Sequence, residues 1–255
     1  MRNKSLFIIL LLWPAVSKAE FLNIPSDSSR VYDLDEVVVV SQPKDTYRLR
    51  QQPLASTVIG RDQLVDHGMG DIRDVSAFIP SLAMPAYGSR FTSSIYVRGI
   101  GSRVNSPSMG VYVDNIPLSN KTAFNTHLYQ TDRVDVLRGP QGTLYGMNAE
   151  GGLVRIYSKS PFTHQGTALK LGLGTAFYRN VEVAHSQQLS SKAAFSLAGF
   201  YQGTNGFYRN TQTDHSADKM DEAGGRFRLM LRPSARWNID FISDYQYVRQ
   251  NANPY

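Results

Sequence analysis

The chain of 255 residues contains no cysteine. That excludes disulfides, iron–sulfur clusters and thiolate zinc sites, and it suits an exported protein that does not rely on cross-links. No stretch beyond the N-terminus is long and apolar enough for a transmembrane helix, so any place in a membrane has to be taken by strands. The marks of several enzyme classes are missing too. No lysine follows the glycines in the G-x-x-x-x-G-K-[ST] spacing of a phosphate-binding loop. The five histidines are dispersed, with no H-E-x-x-H and no carboxylate–histidine cluster to hold a metal. No G-x-S-x-G elbow occurs. The chain reads as a non-enzyme with no cofactor and no metal site.

Positive charge is scarcer than the totals suggest. Residues 1–19 have the parts of a secretory signal peptide: Arg2 and Lys4, an apolar run from Leu6 to Trp13, and Ser17-Lys18-Ala19 before a cleavage site at Glu20. Removing them takes away Arg2, Lys4 and Lys18 and no acid, so the formal net charge falls from +6 to +3. No Lys/Arg cluster interleaved with aromatics survives, which argues against nucleic acid as a partner.

What is present falls into three parts. Residues 20–52 are a polar leader broken by Asp35-Glu36-Val37-Val38-Val39-Val40-Ser41. Four consecutive valines favour a strand and disfavour a helix. That strand either opens a core or is offered to another protein by β-augmentation. Residues 53–161 mix short elements: a strand at Ala55–Ile59, a helix at Arg61–His67, a second helix capped by Asp71, and strands at Ser94–Arg98 and Gly110–Asp114. Thr122–Thr131 reads as a loop with a helical turn. The region closes on RVDVLRGPQGTLYGMNAEGGLVRIYSKSP, residues 133–161. Its two ends alternate charged and apolar residues, predicting strands with one buried and one wet face, and its glycines mark turns and close backbone approach.

From residue 162 the period becomes two. Leu169, Leu171 and Leu173, then Val181 and Val183, then Phe195, Leu197 and Tyr201, then Phe227, Leu229 and Leu231, then Trp237, Ile239, Phe241, Tyr245 and Tyr247 alternate with polar or small residues. Five long strands follow. Ser190-Ser191 and Pro233–Ala235 read as tight turns, and Gly203–Gly225 as a long polar loop. Tight turns at one end and long loops at the other are the pattern of a transmembrane β-barrel.

With these motifs in order, the chain resembles the TonB-dependent outer-membrane receptors of Gram-negative bacteria, of the siderophore-receptor type. DEVVVVS resembles the TonB box, SIYVRG (94–99) the strand-plus-RG element, GVYVDNIP (110–117) the V-x-V-D-G-x-P turn with Asn115 where glycine is usual, and residues 133–161 the signature that closes the plug. The resemblance implies an α+β plug domain followed by the first antiparallel strands of an outer-membrane β-barrel. It implies Sec-dependent export to the outer membrane, contact with outer-membrane lipid, and TonB, with its inner-membrane energising complex, as a partner. The implied function is binding and gating for uptake of a scarce ligand, most simply a ferric siderophore, with no covalent chemistry. Arg98 and Arg138 match positions where buried arginines face barrel-wall glutamates; the alternative is that both hold nearby loop carbonyls. Tyr87, Arg90, Phe91, Arg103 and Phe124 lie in plug loops that can face an anionic, aromatic iron chelate or pack against barrel loops. A 22-stranded barrel needs on the order of 450 residues after the plug, so five strands predict an incomplete barrel and an N-terminal fragment that does not transport alone. A soluble periplasmic plug-like binding module is the alternative reading.

Overall fold

The computed structural model describes residues 55–101, 107–146, 148–211, 214–234 and 236–251. The signal segment, the Asp35–Ser41 run and Arg103 lie outside the described residues. Strands are numbered in chain order: β1 (Ala55–Gly60), β2 (Leu82–Ala83), β3 (Tyr96–Val97), β4 (Ile100–Gly101), β5 (Met109–Val113), β6 (Ile116–Pro117), β7 (Thr131–Arg138), β8 (Gly152–Ser158), β9 (Gly166–Gly174), β10 (Tyr178–Ser190), β11 (Ala193–Thr204), β12 (Met220–Ser234) and β13 (Trp237–Gln250).

The first region is built on a mixed sheet in the order β1-β7-β8-β5-β6. β5 and β8 run parallel, and the other neighbours are antiparallel. Helices at Arg61–Asp66 and Ile72–Ser76 cover one face. The second helix starts where Asp71 predicts, with its Oδ1 accepting from the Asp74 amide at 2.9 Å. Ile59, Leu64, Ile72, Val75, Val134, Val136, Val154 and Ile156 are buried in one cluster. The expected strand at Ser94–Arg98 shrinks to Tyr96–Val97, because Arg98 turns the chain at φ 52°. The Asp114-Asn115 turn has φ of 48° and 69°. Asparagine tolerates that left-handed backbone, so it can stand where the family uses glycine. Thr122–Thr131 holds a 3₁₀ turn at Lys121–Ala123 and an irregular run into β7.

The predicted wet face of β7 and β8 is not wet. Asp135 and Arg155 are buried, and Arg155 Nη2 donates to Asp135 Oδ2 at 3.1 Å. Arg155 Nη1 also donates to the Tyr145 hydroxyl at 2.6 Å. The return segment between the two strands folds over this face, packing Ala149 and Tyr145 against Tyr112, Leu137 and Leu153. Burial raises the Asp135 carboxyl above its ordinary range although Arg133 and Arg155 oppose it. Gly152 permits the closure. Its φ is 143°, and a Cβ there would lie 2.1 Å from the Leu137 carbonyl oxygen.

The second region is an antiparallel sheet in the order β9-β10-β11-β12-β13, five strands as expected. Its connections need two corrections. β12 starts at Met220, so the long loop is Asn205–Lys219 rather than Gly203–Gly225. The β9–β10 link, at the same end, is only residues 175–177. Gly224 stays within β12 because Phe200 of the neighbouring strand fills its place; a Cβ would meet Phe200 Cε1 at 2.5 Å. β9 and β13 are the edges of this sheet, which does not close on itself.

Candidate functional site

The two faces of the five-stranded sheet differ in chemistry. Register puts Val181, Tyr201, Ala223 and Tyr247 in one cross-strand row, and Gln187, Phe195, Leu229 and Phe241 in another. This face points away from the first region and keeps large apolar side chains exposed, among them Leu171, Leu197, Phe241 and Tyr245. The alternate residues, including Glu182, Phe200, Glu222, Arg226, Arg228 and Gln246, point the other way and meet the mixed-sheet region. A period of two therefore sorts one strand into an apolar outside and a polar inside.

The polar side is the candidate site. Arg90, in a short 3₁₀ turn, is buried and forms an ion pair with Glu222 of β12, whose side chain is fully covered. Its Nε donates to the Asn125 carbonyl at 2.6 Å, and its backbone amide donates to Gln250 Oε1 of β13 at 2.9 Å. Asn125 in turn donates to Asp71 Oδ2 at 3.1 Å, tying the turn to the helix cap. Residues 126–130 form the remainder of the docking edge. Thr126 meets Gln246 at 2.9 Å, and His127 Nε2 lies 3.4 Å from Glu182 Oε1. The His127 ring stacks on Phe200 with centroids 4.2 Å apart. Tyr129 donates to Asp244 Oδ2 at 2.9 Å, and Gln130 Nε2 donates to Ser186 Oγ at 3.1 Å. Burial, with Asp244 next, pushes the Tyr129 hydroxyl upward, so it stays a donor.

A second group clamps the Asp114 turn. Asp114 accepts from the Ser158 amide at 2.8 Å and from its hydroxyl at 2.7 Å. Arg226 and Arg228 of β12 approach the same carboxylate at 3.8 and 3.7 Å. Each arginine also pairs within the wall, Arg226 with Asp244 and Arg228 with Asp240, both at 2.6 Å. Arg226 Nη1 further donates to the Ser158 hydroxyl. These groups offer binding and locking by charge. Among the described residues no group of three or more metal-ligating side chains is found.

The residues singled out from sequence are placed as follows. Arg98 is exposed. Arg138 donates to the Pro80 carbonyl at 3.1 Å, which is the loop-carbonyl alternative. Neither pairs with a carboxylate of the five described wall strands. Arg90, read as facing a ligand or packing against the barrel, is a buried arginine that meets Glu222 of β12, the packing alternative. Phe124, read with the same two alternatives, packs: it is 1% exposed and belongs to the main core. Phe91 is partly exposed and lines a cavity of about 600 Å³ between the 3₁₀ turns and β13. The Tyr87 hydroxyl lies 3.1 Å from that of Tyr96. The sequence reading missed Glu222, Arg226, Arg228, His127 and Asp114 as contacts. The one available signal was charge on the non-apolar face of β12.

Residues 48–153 match the family model described as TonB-dependent Receptor Plug Domain. The match covers most of the mixed-sheet region, and over its described residues the chain has the fold of a plug domain followed by antiparallel strands like those of the receptor barrel, not closed. It is similar to the pesticin receptor of Yersinia pestis, 29% identical over 153 residues, which is 59% of this chain and 21% of the relative. It is similar to the vitamin B12 transporter BtuB of Vibrio vulnificus, 24% identical over 68% of this chain and 29% of the relative. The matched part thus spans between a fifth and a third of these relatives. Among solved structures, the ferric yersiniabactin uptake receptor FyuA of Yersinia pestis superposes with a TM-score of 0.72 at 24% identity, covering 79% of this chain and 33% of that one. The ferripyoverdine receptor of the outer membrane of Pseudomonas aeruginosa gives 0.64 at 22% identity, over 76% and 25%. These relatives are receptors and transporters, not enzymes.

Proposed function

We propose that the chain serves energy-coupled uptake of a scarce ligand across the outer membrane of a Gram-negative bacterium, with a ferric siderophore as the ligand class. The plug gates the lumen, and Asp35–Ser41 is the strand that couples to TonB. Residues 1–19 direct Sec export. The observation that carries the reading is the plug's polar docking edge, locked by Arg90–Glu222 onto a sheet whose opposite face is apolar. A buried ion pair between a movable plug and a fixed wall holds firmly and opens only when work is done on it. Of the proposed ligand contacts, Tyr87, Phe91 and Arg103 keep that role here. Arg90 and Phe124 are occupied in packing. Siderophore-receptor relatives support the ligand class.

Binding of the C-terminal domain of TonB to the full chain tests the coupling strand. Val38→Pro removes a ladder donor and is expected to weaken binding by about tenfold or more. Affinity equal to that of the unsubstituted chain would count against Asp35–Ser41 as the coupling strand.

A further inference from the structure

The apolar outward face of the five-stranded sheet ends in a charged tier that neither plug docking nor gating uses. Arg179 of β10, Asp221 of β12 and Arg249 of β13 fall in one cross-strand row with Gly203 between. This row lies one step beyond the row containing Tyr201 and Tyr247. Lys219, just before β12, reaches the same place, with Nζ 3.8 Å from Asp221 Oδ2. Three cations surround a single acid.

The tier is organised. The Tyr201 hydroxyl lies 3.1 Å from Arg179 Nε and 2.9 Å from its Nη2, and Asp221 Oδ1 accepts from Nη2 at 2.9 Å. The guanidinium also lies 5.3 Å from the Phe177 ring centroid. Held on that side, Arg179 keeps Nη1 without a hydrogen bond among the described residues. Arg249, directly across from Asp221, makes no ion pair among them. At the sheet's other end, Lys192 and Arg236 sit in two separate turns.

We propose that Arg179, Lys219 and Arg249 form a docking surface for the uncompensated phosphate of an anionic lipid headgroup, as distinct from the choline-neutralised phosphate of phosphatidylcholine. The inference rests on the reading that the apolar face meets lipid. Tyrosine belts mark the level where hydrocarbon gives way to headgroups. Cations just beyond such a belt stand where phosphates lie, and guanidinium forks match phosphate oxygens in geometry as well as charge. Asp221 neutralises one cation and orients another, so the net positive charge is left for the ligand.

The test is flotation of the full chain with three kinds of vesicle: phosphatidylcholine alone, with about a fifth phosphatidic acid, or with oleate at matched charge. Phosphatidic acid is expected to raise binding roughly tenfold, with oleate raising it far less. Arg179→Gln with Arg249→Gln is expected to abolish that gain while keeping the strand circular-dichroism signal and binding to phosphatidylcholine. An undiminished gain in the double variant, or an equal gain with oleate, would overturn the phosphate surface and leave the lipid-facing reading standing. Absence of flotation with any vesicle would overturn both.

Discussion

At the scale of single residues, the decisive contact is Arg90 with Glu222. The Glu222 side chain is fully covered and that of Arg90 is 7% exposed. Removing one partner leaves the other charge buried and unpaired, which costs about 3–5 kcal/mol. Glu222→Ala is therefore expected to lower the unfolding free energy of the chain by that order in urea titrations. Arg90→Ala combined with Glu222→Ala should cost clearly less than the sum of the two single changes, since the pair is removed as a unit. Additive losses would mean that the ion pair does not hold plug to wall. The clamp at Asp114 is of another kind. Arg226 and Arg228 also pair with Asp244 and Asp240 of their own sheet, so loss of the Asp114 contact would leave neither arginine unpaired.

At the scale of elements, the closing signature of the plug works as a β–return–β unit. Its strands were legible from alternation and its turns from glycine. What covers Asp135 and Arg155 was not legible, because alternation reports that two faces differ and not what lies on each. The register of β7 against β8 brings residues 20 apart into an ion pair, and the return segment seals it. Gly152→Ala should break this unit, since the added methyl collides with the Leu137 carbonyl in a backbone region closed to alanine. The expected loss is about 3 kcal/mol or more, read as a lower urea midpoint. A midpoint within experimental error of the unsubstituted chain would show that β7 and β8 can separate at this point without consequence.

At the scale of the whole molecule, the five-stranded sheet separates two environments. Leu229 lies on the outward face between Phe195 and Phe241, and its neighbour Arg228 points inward to Asp114 and Asp240. Leu229→Arg is expected to weaken partition into phosphatidylcholine vesicles by about 2–4 kcal/mol. Arg228→Leu should leave partition intact while loosening the plug, measured as faster proteolysis of the first region. Equal partition of both variants with the unsubstituted chain would remove the distinction between the faces.

Sequence alone determined the order of parts, the period of each strand and the apolar face, because these depend on local pattern: glycine and proline punctuation, and alternation at a period of two. It also carried the family motifs. Tertiary structure alone decided which arginine meets a wall carboxylate. Arg98 and Arg138 stand in the recognisable motifs; among the described strands it is Arg90 that the 3₁₀ turn and β12 bring to a wall glutamate, across 132 residues. A buried charge is tolerated only where a partner of opposite sign arrives at the right distance. That distance is set by how two sheets pack, and no local pattern in the chain records it.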